Sequence, residues 1–198
     1  RYSVDLCGKI EFNSNFDENS ELDGYLLGVI LGDGSTRDNC VSISNENEEL
    51  WSRIESILVR YNCSRSRKCK DYIVGTKRKN YVRDKIIEYG LMNVKSIDKF
   101  IPEIYFNSPV NVRLKLLAGL VDTDGYSPEN TTSVWEFDTA SERLASDFAR
   151  LARSLGVKVK IHERKDSMYT ANSIKHPASG SRHLVCRSNF NPFFISSK

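Results

Sequence analysis

No apolar run in this sequence approaches the ~20 residues that a helix needs to span a bilayer, so the sequence predicts no membrane partner. Its five cysteines include no C-x-x-C pair, and its three histidines do not complete the spacing of a zinc ribbon. The first twelve residues lack the apolar core and small-residue cleavage site of a secretion signal. These absences predict an intracellular protein with reduced thiols, which would be nuclear in a eukaryote.

The chain has 198 residues, enough to bury one large core or two small ones, and its 39% hydrophobic residues are typical of a globular protein. Because it begins with Arg1 rather than Met, we expect it to be an interior piece of a longer polypeptide. The net charge of +3 is uneven, with −7 over residues 1–60 and +7 over residues 61–100. The basic block from Arg65 to Lys85 fits a polyanion such as nucleic acid, although a solvated basic face would have the same composition.

Two copies of one apolar segment organise the sequence. The first reads LLGVILGDGS over residues 26–35, and the second reads LAGLVDTDGYS over residues 117–127. Each runs into an acid followed by glycine, and the aligned acids are Asp33 and Asp124, 91 residues apart. A duplication of this kind predicts pseudo-twofold symmetry, which suits a symmetric polymer such as duplex DNA.

The elements around the two segments follow one order. Hydrophobic spacing predicts helix, strand, helix, two strands and helix in residues 21–100, and the same order in residues 101–198, with one strand more or fewer in each half. The predicted helix starts include Asp23, Asn47, Asn80 and Ser141. Residues 1–20 form an extension, and the polar stretch over residues 166–180 predicts a long mobile loop.

Small residues inside the two segments predict that their helices pack closely. Gly28, Ala118 and Gly119 stand among large aliphatic residues, and small side chains at a helix crossing let two backbones approach. If the helices run parallel, their C-terminal ends lie side by side and bring Asp33 and Asp124 together. Two carboxylates that close repel each other in a partly dry site, and a divalent cation relieves the repulsion.

This pair of acids predicts a metal site. Oxygen ligands without a histidine or cysteine cluster favour Mg²⁺ over zinc, with Mn²⁺ able to substitute, and the backbone carbonyls of Gly32 and Thr123 are further candidate ligands. Such a site would polarise the scissile phosphate, activate a water and stabilise the departing 3′ oxygen. One Asp-Gly after an apolar helix is commonly only a turn, but two copies at matching places favour a functional role for Asp33 and Asp124.

These residues carry a family resemblance. LAGLVDTDG at 117–125 resembles the motif that names the LAGLIDADG homing endonucleases, and LLGVILGDG at 26–34 resembles the more degenerate first copy in intein-encoded members. The flanks at 99–125 and 148–159 are also similar to intein-encoded endonucleases. The resemblance covers roughly residues 23–165.

The resemblance implies a fold and a reaction. The fold would be α+β, an αββαββα unit duplicated in one chain with pseudo-twofold symmetry and two saddle-shaped antiparallel sheets on the DNA. The reaction would be Mg²⁺-dependent hydrolysis of both strands of a long double-stranded target, leaving 3′ overhangs. The protein would act as a monomer with two pseudo-symmetric halves in intron or intein homing.

The resemblance also implies site residues. Asp33 and Asp124 match the last acid of each motif, which binds metal and takes part in catalysis. Lys99, in the Lys-x-Ile-Pro segment, matches an active-site lysine, where a cation would stabilise transition-state charge or help to activate water. The sixth motif position, Leu31 in one copy and Asp122 in the other, is not a metal-binding position, and we expect Asp122 to cap or bond locally.

A second lysine and the splicing residues are less well matched. The second half should carry its own lysine near the end of the chain, where the candidates are Lys198 and, less well placed, Lys175. The chain has no splicing Cys or Ser at its start and no terminal His-Asn pair, so we expect a splicing domain to lie outside it or to be lost, with residues 1–20 as a remnant.

The two sheet faces are implied to contact DNA through basic side chains. Arginine and lysine on strands in the major groove can read guanine edges, and the others would hold phosphates. In the first half the candidates are Arg65, Arg67, Lys68, Lys70, Lys77, Arg78 and Lys79. In the second half they are Lys158, Lys160, His162, Arg164, Arg182 and Arg187.

Three other functions stay open on the sequence alone. A DNA-binding protein of the same fold with lost or reduced cleavage would fit the uncertain second lysine, but it has no need of both acids. An RNA-binding intron maturase would show a similar basic surface, again without needing both acids. A structural or protein-interaction module is the remaining alternative.

Overall fold

The two repeats share the order helix, two strands, helix and two sheet strands, but the second repeat has two inserted strands and, in the described residues, lacks the predicted final helix. A computed structural model describes residues 8–13, 15–68, 71–75, 80–128, 133–164, 168–171, 174–177 and 181–195. The first repeat consists of α1 (Gly24–Gly32), β1 (Gly34–Ser35), β2 (Ser42–Ile43), α2 (Glu48–Leu58), β3 (Arg65–Lys68), β4 (Asp71–Val74) and α3 (Tyr81–Glu88). The second consists of α4 (Val110–Asp124), β5 (Gly125–Tyr126), β6 (Val134–Thr139), α5 (Glu142–Ser154), β7 (Lys158–Arg164), β8 (Met168–Ala171), β9 (Ile174–Pro177) and β10 (Ser181–Arg187).

The sheet topology confirms the predicted α+β class and the duplication. One four-stranded sheet has the order β1-β2-β4-β3, and the other has the order β5-β6-β10-β7. All neighbouring strands in both sheets are antiparallel. The orders correspond strand by strand, with β10 in the place of β4 and β7 in the place of β3, as pseudo-twofold repeats require.

Two local predictions need correction. The stretch over residues 166–180 was expected to be a loop, but β8 and β9 pair with each other within it, from Met168 opposite Pro177 to Ala171 opposite Ile174. This ribbon is inserted between β7 and β10, and its polar composition conceals the strand pattern. The strands β1 and β5 were also missed, because two residues are too few to show alternation.

Side-chain caps start four of the helices as expected. A side-chain oxygen accepts a hydrogen bond from a backbone N–H in the first turn of each helix, which satisfies a donor that has no partner inside the helix. The capping residues are Asp23 for α1, Asn47 for α2, Asn80 for α3 and Ser141 for α5. Within the described ranges, no helix combines the length and the apolar character that a bilayer crossing requires.

Helices α1 and α4 pack backbone against backbone. A Cβ atom on Gly28 would lie 2.5 Å from Leu116 O and 2.9 Å from Gly119 Cα, closer than side chains pack. Gly24 meets the start of α4 and Gly32 meets its end, so the two helices run parallel. Both are buried along most of their length, and every residue of α1 from Gly24 to Leu31 is buried. The predicted parallel packing is therefore confirmed, and the C-terminal ends of both helices face the same way.

We expect Gly28→Ala and Gly119→Ala to destabilise the protein, each by about 3 kcal/mol in the free energy of unfolding, because the added methyl group must separate two packed backbones. Gly8→Ala is the matched control, since a Cβ there would meet nothing within 4 Å. Urea denaturation of the three variants and the wild type measures the effect. Equal stability of Gly28→Ala and Gly8→Ala would contradict the close packing.

Candidate active site

The two motif aspartates lie at the adjoining ends of α1 and α4. Asp33 directly follows α1 and is half-buried, and Asp124 is the last residue of α4 and is exposed. A Cβ atom on Gly32 would lie 3.3 Å from Asp124 Oδ2, which places the second acid beside the end of the first helix. The packing of the two helices thus brings the predicted pair together at one surface.

Lys99 lies beneath this pair and binds the end of α1. Its side-chain Nζ donates to Leu31 O over 2.8 Å, to Gly32 O over 3.0 Å and to Gly34 O over 2.8 Å, with Ile30 O at 3.3 Å. Lys99 is only 8% exposed. Burial lowers its pKa from 10.5 to about 8, although the charges of Asp124 and Asp33 act in the opposite direction.

The main chain of Lys99 is bound to the second repeat. Lys99 O accepts a hydrogen bond from Ser141 Oγ at the start of α5, over 2.7 Å. Two residues later, Ile101 N donates to Asp147 Oδ2 on the same helix, over 3.0 Å. The backbone around Lys99 is therefore attached to α5, while its ammonium holds α1, so this residue spans both halves of the molecule.

Asn45 is a site residue that the sequence reasoning missed. Its Nδ2 donates to Asp33 Oδ2 over 2.6 Å, and Ser44 N donates to Asp33 O over 3.1 Å. The pairing of Gly34 with Ile43 in the β1–β2 ladder places these residues beside Asp33. Asn45 and Ser44 could have been found only by predicting the short β1–β2 ladder. The motif itself gives no signal for Asn45, which lies twelve residues after Asp33.

The donor set fits a hard divalent cation with part of its coordination left to water or substrate. In the described part of the chain, no group of three or more His, Cys, Asp or Glu side chains could hold a metal ion. The protein therefore offers Asp33 and Asp124 with backbone oxygens, and Mg²⁺ commonly uses one or two carboxylates together with phosphates. Gly32 O already accepts a hydrogen bond from Lys99, and the Thr123 hydroxyl donates to Leu120 O within α4.

Asp122 was expected to cap or bond locally, and this prediction was wrong. It is fully buried and accepts from Tyr25 OH over 2.7 Å and from the backbone N–H groups of Phe194 and Ile195 over 3.0 and 3.5 Å. Its partners are therefore 72 to 97 positions away in the sequence. Burial raises the pKa of the Asp122 carboxyl, and these hydrogen bonds oppose the rise. The residue joins the two motif helices to the segment after β10.

A basic groove lies on the face of the second sheet that points away from α5. Phe137 stacks on Phe148 of α5 with ring centroids 4.1 Å apart, which defines the inner face of this sheet. Alternation then directs the other residues outward. A groove of about 300 Å³ there is lined by Lys158, Lys160, His162, Val185 and Arg187. Four of the predicted DNA contacts are therefore brought together.

Three other predicted contacts lie elsewhere. Arg182 alternates with the outward residues of β10 and forms ion pairs with Glu142 and Glu163. Arg65 stacks over the buried Trp51 of α2, with its guanidinium 4.9 Å from the ring, and Arg67 lies over Tyr72 at 5.6 Å. These arginines thus share the helix side of their sheets, because alternate residues of a strand face the same side whatever their charge.

The remaining predicted contacts cannot be placed. Lys70, Lys77, Arg78 and Lys79 lie outside the described residues, as does Lys198. The side chains of Lys68, Arg164 and Lys175 also lie outside the described part of the structure.

Comparison with known proteins gives partial matches. Residues 100–184 match the family model described as homing endonuclease. The chain is 28% identical over 149 residues to the ATP-dependent DNA helicase Hel308 of Thermococcus kodakarensis, covering 69% of this chain and 13% of that protein. It is 28% identical over 141 residues to the replicative DNA helicase DnaB of Mycobacterium intracellulare, with 71% and 20% covered. A DNA polymerase of Thermococcus hydrothermalis is 29% identical over 151 residues, with 72% and 9% covered.

The chain thus spans a fifth or less of the length of these relatives. Among solved structures, the N-terminal LAGLIDADG domain of DUF199/WhiA has a TM-score of 0.49 and 12% identity, covering 89% of this chain and 79% of that one. A variant of I-DmoI in complex with its target DNA, in the presence of Mn, has a TM-score of 0.46 and 15% identity, covering 86% and 88%. The family match covers residues 100–184, which include the second motif copy and Asp124.

Proposed function

We propose that this protein is a site-specific endonuclease that cuts both strands of a long DNA target with a divalent metal at the ends of α1 and α4. The observation that carries the proposal is the convergence of Asp33 and Asp124 on one surface, over the buried cation of Lys99. A structural turn has no need of two acids at pseudo-symmetric ends. The match of residues 100–184 to the homing endonuclease family agrees with this reading.

The reaction is hydrolysis of a phosphodiester bond. A water oxygen bonds to phosphorus, the bond from phosphorus to the 3′ oxygen breaks, and the products are a 5′ phosphate and a 3′ hydroxyl. Asp33 and Asp124 would hold Mg²⁺ or Mn²⁺, which supplies charge to neutralise the phosphate and lowers the pKa of bound water. The protein contributes a fixed pair of carboxylates, whose separation is set by helix packing and not by flexible loops.

Lys99 holds the first acid in place through the backbone. An ammonium group has three N–H donors, and four carbonyl oxygens lie within 3.3 Å of this one. The carbonyls at the C-terminal end of a helix carry partial negative charge, so a cation there is stabilised. Lys99 thus binds the carbonyl oxygens of Gly32 and Gly34, the residues on either side of Asp33. Its positive charge also interacts with Asp33 and Asp124.

The groove of the second sheet would contact the DNA backbone and base edges. Lys160 and Arg187 lie on its outer face, where they can reach a phosphate or a guanine edge. Arg65 and Arg182 contribute to the fold instead, since both are engaged with acids on the helix side. Binding by the outer groove would be sensitive to salt, because phosphate contacts release counterions.

The distribution of relatives supports an intein origin. By name they are a helicase, a replicative helicase and a polymerase, yet each matches over 141 to 151 residues that form 9% to 20% of its length. A similar segment that makes up only a small part of proteins with different activities is what an inserted element produces. A splicing domain flanking this chain would fit that origin.

The direct test begins with parallel selections of bound sequences from a randomised DNA duplex library and from a randomised RNA library. The selected site is then placed in a supercoiled plasmid and incubated with the protein and Mg²⁺. A discrete double-strand break supports the proposed function. Tight, salt-sensitive binding without a break, even with Mn²⁺, would instead indicate a protein that binds DNA and has lost cleavage, and selection of RNA alone would indicate a maturase.

We expect Asp33→Asn and Asp124→Asn to abolish cleavage and to leave DNA affinity within about tenfold of wild type, because phosphate contacts by the sheets survive. Each change removes a charge while keeping the shape of the side chain. Plasmid linearisation and filter binding on the same preparations measure the two effects. Cleavage by either variant at the wild-type rate would refute the metal assignment.

Lys160→Ala combined with Arg187→Ala should weaken DNA binding and reduce the slope of log affinity against log salt by about 2, one for each lost phosphate contact. Arg182→Ala is the control, since it removes a cation from the other face of the same sheet. Binding titrations at several salt concentrations measure the slope. An equal loss of slope in both cases would show that the groove is not the contact surface.

The buried Lys99 should make stability depend on pH. Its folded pKa of about 8 lies below the unfolded value of 10.5, so between pH 7 and pH 9 the folded protein releases a proton that the unfolded chain keeps. The unfolding free energy therefore gains about 1 kcal/mol from this group over that range. Urea denaturation in metal-free buffer should show wild type gaining that amount relative to Lys99→Met. The burial of a charged Lys99 would be contradicted if the unfolding free energy of wild type minus that of Lys99→Met stayed constant or fell between pH 7 and pH 9.

A further inference from the structure

The carboxylate of Asp33 has a close partner to which the proposed chemistry gives no role. Asn45 lies just after β2, and its Nδ2 donates to Asp33 Oδ2 over 2.6 Å. This distance is short for an N–H···O hydrogen bond. We infer that Asn45 is the positioning residue of Asp33: it fixes one carboxylate oxygen so that the other is presented to the metal. This inference rests on the proposed function.

A second hydrogen bond decides which way the Asn45 amide faces. The backbone N–H of Asn47 donates to Asn45 Oδ1 over 2.8 Å. A backbone N–H is always a donor, so the amide oxygen must face Asn47 and the NH₂ group must face Asp33. The partner of that NH₂ group has to be an acceptor, and an ionised carboxylate is a pure acceptor. The main chain therefore orients the Asn45 NH₂ group so that it donates to the Asp33 carboxyl group.

The support for Asn45 extends into the hydrophobic core. The indole Nε1 of Trp51 donates to Asn45 O over 2.6 Å, and Trp51 is fully buried. The neighbouring Ser44 N–H donates to the backbone oxygen of Asp33 over 3.1 Å. Side chain and main chain of the aspartate are thus both held from the β2–α2 connection. A ligand held in this way loses little conformational freedom when a metal binds.

Hydrogen-bond partners of metal ligands commonly matter almost as much as the ligands. Loss of one costs 10–100-fold in metal affinity or activity, because the ligand then samples other orientations. In the proposed site, Asn45 would lie behind Asp33 and would not touch the reacting phosphate. Its effect should therefore appear in the metal requirement of cleavage, and high metal concentration should compensate for its loss.

The test is a Mg²⁺ titration of plasmid linearisation by wild type, Asn45→Ala and Asn47→Ala. Asn45→Ala should raise the half-saturating Mg²⁺ concentration about tenfold, with the rate approaching wild type at high Mg²⁺. Asn47→Ala is the matched control, since its side chain caps α2 by accepting from Glu49 N and Leu50 N. It should lower thermal stability while leaving the Mg²⁺ requirement unchanged.

The outcomes separate this inference from the proposed function. DNA affinity in metal-free buffer reports that each variant is folded. If wild type binds its site and never cuts, the proposed function fails, and the role of Asn45 fails with it. If wild type cuts, and Asn45→Ala cuts with the wild-type Mg²⁺ requirement or shares any shift with Asn47→Ala, only the inference about Asn45 is overturned.

Discussion

The contact between the backbones of α1 and α4 is the constraint on which the rest of the molecule depends. Gly28 and Gly119 meet at this contact with no space for even one methyl group. Because the helices run parallel, their contact fixes the relative height of their C-terminal ends. A slip of one helical turn would move one end by about 5.4 Å and separate the two acids. The packing of large aliphatic residues around α1 and α4 therefore also positions the two acids of the site.

A buried cation completes this arrangement. Burying an ammonium group costs free energy, and the lowered pKa of Lys99 reflects that cost. The cost is tolerated because the end of α1 supplies a cluster of carbonyl oxygens and both acids lie nearby. Since the main chain of the same residue is bound to Ser141 of α5, a shift between the two halves would also disturb Asp33. The orientation of the repeats and the geometry of the site are thus coupled through one residue.

The sequence could predict the features that depend on local pattern, namely the motif helices, their caps and the alternating strands. It could not predict Asn45, whose contact with Asp33 depends on the register of two strands of two residues each. It also misplaced Arg65, because alternating serine and arginine give a strand that can turn either face inward. The stacking of Arg65 on Trp51 and its ion pair with Glu55 settle the matter, and both depend on tertiary packing.

The two motif copies differ most at the sixth position, and the reason is structural. Asp122 receives the backbone N–H groups of the segment after β10 and the hydroxyl of Tyr25. The corresponding position in the first repeat is Leu31, which is buried among apolar residues. The first repeat continues from its last sheet strand into α3, whereas residues 189–195 form neither helix nor strand and need an acceptor for their amides. A buried carboxylate provides one, at the expense of desolvation that raises its pKa. The sixth position can therefore differ between the copies. It determines how the segment after β10 packs, and it leaves the positions of Asp33 and Asp124 unchanged.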